Sequence, residues 1–326
     1  MEAIELAAFY EANNIKVCIL INDDCPEALM KRIPCRYIRY SYQGELVISA
    51  EEVGCILNEL DAETLVTDLR EISNGFISEL RAFFCGNIVS IDEWGHRRLD
   101  ADVIINPMID SYYWDYPESR SVIYSGAEYL ILPRRIRDYR GRYKIRDSVN
   151  RVCVSMGGMD TKGSSLKLAK WLPDILPGAV IEIIMGAGFS FQRELSLIIG
   201  NMSKRADFII SENVRDIYDH FLDADLVICA GGNTLHELAC LGIPTVVIPT
   251  MPHEEGNGKR FEELGFGRCL SLTEVVDKGE VVEGIDGLKD RNVRTKMNLC
   301  GTNSFFGDGL DRCVRIINGL QSRYIP

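Results

Sequence analysis

Short apolar runs rich in Val and Ile alternate with longer amphipathic stretches along most of the chain. An unbroken apolar run fits a strand buried on both faces. Apolar residues that recur at helical spacing fit a helix laid against it. In the first half this pattern predicts strands at 16–21, 36–40, 64–67, 87–91 and 103–105, with helices at 3–12, 51–60 and 72–84. In the second half it predicts strands at 152–155, 180–184, 208–210, 226–229 and 245–248, with helices at 165–172, 191–199, 214–222, 234–241 and 258–264. Such alternation makes an α/β protein with parallel sheets. Residues 132–150 carry Arg, Lys, Tyr and Asp without apolar period and read as a surface linker. The expected organisation is one α/β domain at 1–135, a linker at 136–150, a second domain at 151–310 and a closing helix at 311–326. The chain opens on a helix that feeds a strand, whereas a doubly wound domain starts with a strand and a loop, so that first unit is expected to be missing.

The second half contains a recurrence. RVCVSM runs into Gly157-Gly158, and DLVICA runs into Gly231-Gly232. Both glycine pairs fall where a strand meets a following helix. Glycine lets a ligand's phosphates approach the backbone, and the free N–H groups of a helix N-terminus attract anions. The element Gly231-Gly232-Asn233-Thr234 would hold a diphosphate at the C-terminal edge of a parallel sheet. The structural alternative is a tight turn with Asn233 or Thr234 as a plain N-cap, and Thr234-x-x-Glu237 also fits a capping box. Gly157, Gly158 and Asp160, with Thr161 and Lys162 beside them, form a second candidate loop for a phosphate or a base.

Composition narrows the setting. A chain of 326 residues with 46% hydrophobic and 26% charged residues is that of a globular protein of two ordinary domains. The net charge of -12 argues against nucleic acid or an anionic membrane as main partner. The sequence holds neither a membrane-spanning run nor a signal or transit peptide, so a cytoplasmic location is expected. The eleven cysteines form no Cys-x-x-Cys pair and no zinc pattern, and are expected to be reduced and mostly buried. Nothing calls for a metal or a cofactor.

The segment DLVICAGGNTLHELACLGIPTVVIP followed by HEEGNGKRFEELG resembles the nucleotide-sugar hydrolase family of the pseudaminic-acid pathway and the related spore-coat polysaccharide biosynthesis proteins. More distantly it resembles the C-terminal half of the GlcNAc transferase that makes lipid II. VSMGGMD, VTDLREISNGFISELR, DADVIINP and AEYLILPRRIRDY extend the similarity upstream. The resemblance implies a glycosyltransferase-B-like fold, two Rossmann-like domains across a cleft, with UDP in the C-terminal one. It implies a UDP-sugar substrate and assigns Glu237 to the ribose hydroxyls and Asn257 to the sugar. The hydrolase family also begins with a strand and a Gly-His-x-x-x-Arg loop, to which this sequence has no counterpart. It carries Asp-His-Tyr where this chain has Asp68-Leu69-Arg70, and Asn-Gln or Gln-Gln where this chain has Asn257-Gly258.

Candidates for catalysis are His253, whose ordinary pKa lies near neutrality, and Asp68 at the end of a predicted strand. His253, Glu254 and Asn257 are expected in a polar loop after the last strand. Asp68 also fits an N-cap for the helix after it. His96 reads as solvated, and His220 sits in a helix without an evident partner. The cluster Tyr112-Tyr113-Trp114-Asp115-Tyr116 fits a packed loop or a wall for a sugar. The leading expectation is hydrolysis of a UDP-linked deoxyamino sugar. A glycosyltransferase of the same fold and a non-catalytic nucleotide-sugar-binding protein are the alternatives, and the sequence leaves the oligomeric state open.

Overall fold

A computed structural model describes residues 2–23, 25, 27–40, 48–69, 72–92, 95, 98–109, 115–212, 214 and 216–320. Arg70, His96 and Tyr112 to Trp114 lie outside the described residues. The chain divides into two units, one over Met1–Arg134 and Gly307–Pro326, the other over Arg135–Phe306.

The first unit runs α1 (Glu2–Ala12), β1 (Cys18–Asn22), α2 (Glu27–Met30), β2 (Arg36–Tyr40), α3 (Ala50–Glu59), β3 (Thr64–Asp68), α4 (Asn74–Leu80), β4 (Asn87–Ile91), β5 (Val103–Asn106) and β6 (Val122–Ser125). Among the described residues, β1 pairs with β2, and β3, β4, β5 and β6 lie side by side in a separate sheet; every pairing is parallel. Side chains alternate across β4 and β5. Ile88 and Ile104 join α3 and α4 residues such as Val53, Leu57, Ile77 and Leu80 in one core. Val89, Ile91, Val103 and Ile105 point the other way, onto Leu6 of α1 and a late helix. Ser49 and Glu52 close a full capping box at the start of α3. Ser73 caps α4, so that helix begins at Asn74 and not at residue 72 as expected.

The second unit continues α5 (Ile136–Tyr139), β7 (Arg151–Ser155), α6 (Ser164–Ile175), β8 (Val180–Met185), α7 (Gln192–Met202), β9 (Asp207–Glu212), α8 (Ile217–Asp223), β10 (Leu226–Cys229), α9 (Asn233–Leu241), β11 (Thr245–Val247), α10 (Pro252–Glu263), β12 (Arg268–Cys269), α11 (Lys278–Asp286) and α12 (Arg291–Ser304). Its sheet has the order β12-β11-β10-β7-β8-β9, all parallel. In chain order the first strand therefore lies beside the fourth, the arrangement of a doubly wound sheet whose direction of winding reverses there. α2, β6, α5, β12, α11 and α12 had not been expected. Asp277 and Asp290, which cap α11 and α12, were the signals present in the sequence.

The structure adds two features to the expected domain organisation. Residues 136–150 are largely exposed, as a surface linker would be, but two side chains anchor them to the second unit. Ile136 is fully buried, and Tyr143 is buried with its hydroxyl donating to the Asp225 carbonyl. The Asp225 carboxylate in turn accepts from the backbone N–H groups of Asn150 and Arg151 and from Arg146. Buried Arg294 of α12 donates to the carbonyls of Arg146 and Asp147. A segment without apolar period is thus held by hydrogen bonds to buried side chains, which periodicity does not register. The closing helix, α13 (Gly309–Asn318), packs on the first unit through Leu310, Cys313, Val314 and Ile317. A Cβ on Gly309 would lie 2.0 Å from the Leu130 carbonyl, so only glycine allows that approach.

Candidate functional site

The two glycine pairs follow β7 and β10, which are neighbours in the sheet. They therefore share the C-terminal edge at the point where the winding reverses, the usual ligand crevice of such sheets. Their local chemistry differs.

At the first pair the chain turns on Gly157, whose φ is +77°. The Gly158 carbonyl accepts from Gly188 at 2.9 Å, and a Cβ on Gly186 would lie 2.4 Å from the Gly157 oxygen. The turn is thus packed closely on the loop after β8, with the Gly158 carbonyl bonded to it. Asp160, buried with φ +46°, accepts from the N–H groups of Ser164 and Ser165 at 2.8 and 2.9 Å. A carboxylate of the chain already occupies the start of α6. Lys162 donates to the Thr273 carbonyl, and Thr161 is exposed. Asp160→Ala is expected to cost about 1–2 kcal/mol of stability, as loss of a helix cap does, with ligand affinity unchanged. A shifted denaturation midpoint beside an unaltered binding isotherm is the check.

At the second pair no side chain caps α9. Its N-cap is Gly232, which places Asn233 and Thr234 inside the first turn rather than at the cap. Glu237 then falls too far along for a capping box. Gly231 is buried, and a Cβ there would lie 2.3 Å from the Glu254 carbonyl oxygen. The close approach seats the start of α10 against the start of α9. The Glu254 carboxylate turns back to accept from the Thr250 N–H and hydroxyl at 2.7 and 2.6 Å. Asn257, which the resemblance assigns to the sugar, donates its amide to the Gly231 carbonyl at 3.3 Å. Residues 252–257, expected as a polar loop, form the first turns of α10, with Pro252 at the helix start. His253 is exposed there.

Glu237 is half-buried and accepts from the Tyr218 hydroxyl at 2.9 Å. Burial first, and then the Glu237 charge, push the Tyr218 phenol well above the usual tyrosine range, so it remains the donor. Asp68 belongs to the first unit and accepts from the Ala3 N–H at 3.1 Å. It caps α1 and not the helix that follows it; Ser73 does that.

Three groups were not foreseen as partners. Buried Glu182 of β8 accepts from Arg151, Ser211 and His220. Burial alone would raise its carboxyl, and these donors hold it below the usual range. This gives His220 its partner. Buried His236 of α9 lies among Phe261 and Phe305, its ring centroid 4.9 Å from that of Phe261. Among the described residues no group of three or more His, Cys, Asp or Glu is placed to hold a metal ion, and no helix is long and apolar enough to cross a membrane.

Residues 180–311 match the glycosyltransferase family 28 C-terminal domain. The chain is 24% identical over 279 residues to the spore coat polysaccharide biosynthesis protein SpsG of Bacillus subtilis, covering 83% of this chain and 81% of the relative. A shorter stretch of 74 residues is 39% identical to the UDP-N-acetylglucosamine–N-acetylmuramyl-(pentapeptide) pyrophosphoryl-undecaprenol N-acetylglucosamine transferase of Idiomarina loihiensis, covering 21% of this chain and 20% of that one. Among solved structures, MurG of Acinetobacter baumannii superposes with a TM-score of 0.73 at 15% identity, over 98% of this chain and 95% of that one. The fold is that of the glycosyltransferase-B group: α/β, with parallel sheets in two Rossmann-like domains.

Proposed function

We propose that the second unit binds the nucleotide of a UDP-sugar and that the protein transfers the sugar to an acceptor hydroxyl in polysaccharide biosynthesis. One observation carries this reading: α9 starts without a side-chain cap at the reversal point of the sheet, with Glu237 on its first turns. Its N–H groups would hold the diphosphate, and Glu237 would accept from the ribose hydroxyls. Gly157 and Gly158 would line the same sheet edge, while Asp160 serves α6. The family 28 match and the transferase relative favour transfer over the hydrolysis expected from the sequence. The SpsG similarity favours a polysaccharide product.

In the reaction the bond between the anomeric carbon and the diphosphate oxygen breaks, and its electron pair leaves with UDP. Backbone N–H groups aimed at that charge would supply the largest share of catalysis. The acceptor oxygen forms the new bond and its proton passes to a base. His253 is the better candidate for that role, because it is exposed whereas Asp68 is committed to α1. Hydrolysis would follow the same course with water as acceptor.

Calorimetric titration of UDP into the wild type and Glu237→Ala tests the nucleotide site. Wild-type binding weakened about tenfold by the substitution, roughly 1.4 kcal/mol, is expected. A wild type that does not bind UDP sinks the reading. Product analysis with UDP-sugars then separates a glycoside, which supports transfer, from free sugar, which would return the protein to hydrolysis.

A further inference from the structure

Glu237 does not stand alone. Tyr218, fully buried on α8, donates to its Oε1. The Tyr218 ring meets Tyr139 edge to face, with centroids 5.3 Å apart, and the Arg135 guanidinium lies 5.3 Å from the ring centroid. Asp216 accepts from the Tyr218 N–H at 3.1 Å and from the Tyr139 hydroxyl at 3.0 Å, and Arg135 lies 3.7 Å from it. On the other side of α8, His220 is bonded to Glu182. The phenol is thus fixed in place and its hydroxyl has one well-defined direction.

We propose that Tyr218 is a positioning residue that sets a preference for ribose over 2′-deoxyribose, acting through the hydrogen bond it makes to Glu237. This rests on the reading of Glu237 as the ribose acceptor. A glutamate side chain has three rotatable bonds, and ordering it at the moment of binding costs affinity. A phenol that holds one carboxylate oxygen removes much of that cost. It also fixes where the carboxylate can receive a cis-diol, whose two hydroxyls lie a set distance apart. A 2′-deoxy nucleotide offers one of those hydroxyls and gains less from the fixed geometry. The phenol itself is too deeply buried to touch the ligand.

The test titrates UDP and 2′-deoxy-UDP into the full-length wild type, Tyr218→Phe, Glu237→Ala and the double variant. The wild type is expected to favour UDP. Tyr218→Phe is expected to weaken UDP about fivefold, the scale of ordering one flexible side chain, and to change 2′-deoxy-UDP less than about twofold. In the Glu237→Ala background Tyr218→Phe is expected to change neither, because its partner is gone. Glu237→Asp serves as a second variant that leaves Tyr218 and its packing intact. Its carboxylate, one methylene shorter, cannot keep the phenol and reach the diol together, so the UDP preference is expected to collapse.

Equal weakening of both nucleotides by Tyr218→Phe overturns the proposal, since general loosening of the fold would do that. An effect that persists without Glu237, or a preference that survives in Glu237→Asp, overturns it as well. Wild-type UDP binding that is indifferent to Tyr218→Phe but sensitive to Glu237→Ala removes the positioning role and leaves the nucleotide site standing. A wild type that binds neither nucleotide removes both.

Discussion

Gly231→Ala is expected to weaken UDP binding at least about 100-fold, or roughly 2.7 kcal/mol. The added methyl would lie 2.3 Å from the Glu254 carbonyl oxygen and 2.9 Å from its carbonyl carbon and Cα. All three are backbone atoms, so no side-chain rotation relieves the clash. The start of α10 must withdraw from the start of α9, and the Asn257 bond to the Gly231 carbonyl goes with it. Overpacking of this kind costs about 1–3 kcal/mol of stability, and the displacement falls on the proposed diphosphate site. Gly200→Ala, on α7 and outside the proposed site, is the matched control. Nothing lies within 4 Å of a Cβ there and its φ is not positive, so the folded protein has room for the methyl. Calorimetry on the two alanine variants, with denaturation curves beside it, separates a glycine required by close backbone approach from one that is not. Equal affinity in the two would contradict the seating of α9 against α10.

His236→Phe is expected to remove a step of about 3 kcal/mol from the pH dependence of stability. Burial pushes the imidazole pKa down to about 4, against an ordinary value near 6.5. The Gly232 carbonyl, one turn back, pulls only weakly the other way, and neither ring nitrogen makes a well-formed hydrogen bond. The sign follows from which state binds the proton. Between about pH 6.5 and 4 the unfolded chain protonates His236 while the folded chain keeps it neutral, so stability falls as pH falls through that window and levels off below it. Above it the histidine is neutral in both states and contributes no slope. Phenylalanine joins Phe261, Phe266 and Phe305 without a proton to bind or a ring N–H to leave unpaired. The variant should therefore match or exceed wild-type stability at pH 7 and exceed it by the full step near pH 4. Urea unfolding midpoints across pH 4–8 decide this. A wild-type slope that survives the substitution would assign the acid sensitivity elsewhere.

The alternating pattern announced the parallel sheets because strands buried on both faces are dominated by apolar residues: Leu226–Cys229 is apolar throughout, and Asn87–Ile91 is apolar but for Asn87 and Ser90. Both glycine pairs were visible for the same reason, as breaks at the ends of such runs. Their difference in role was not visible. It depends on Asp160 folding back onto Ser164 and Ser165, and on Glu254 arriving from another helix. Asn257 and His253 were expected in a loop because HEEGNG has little apolar content. Pro252 at the first helical position, the counter-signal, was available in the sequence. Tyr218 and His220 were invisible as site elements, since their partners Glu237 and Glu182 are brought to them by the sheet and not by sequence spacing. The anchoring of residues 136–150 was invisible because its partners, Asp225 and Arg294, are far along the chain.

The return of α13 to the first unit has a consequence for synthesis. Val89, Ile91, Val103 and Ile105 leave the ribosome early, yet the helix that covers them follows Arg135–Phe306. The second unit is contiguous and has all its strands available before then. Domains generally fold as units while the chain is being made, the N-terminal one first. Here the order is reversed at completion: the part begun first must wait, with one apolar sheet face only partly covered by residues such as Leu6 and Ile131, until the part begun second is already made. Dissection into fragments follows the same logic, since a cut after Arg134 gives a first unit without its lid of Leu310, Val314 and Ile317, whereas cuts on either side of Arg135–Phe306 leave the second unit whole.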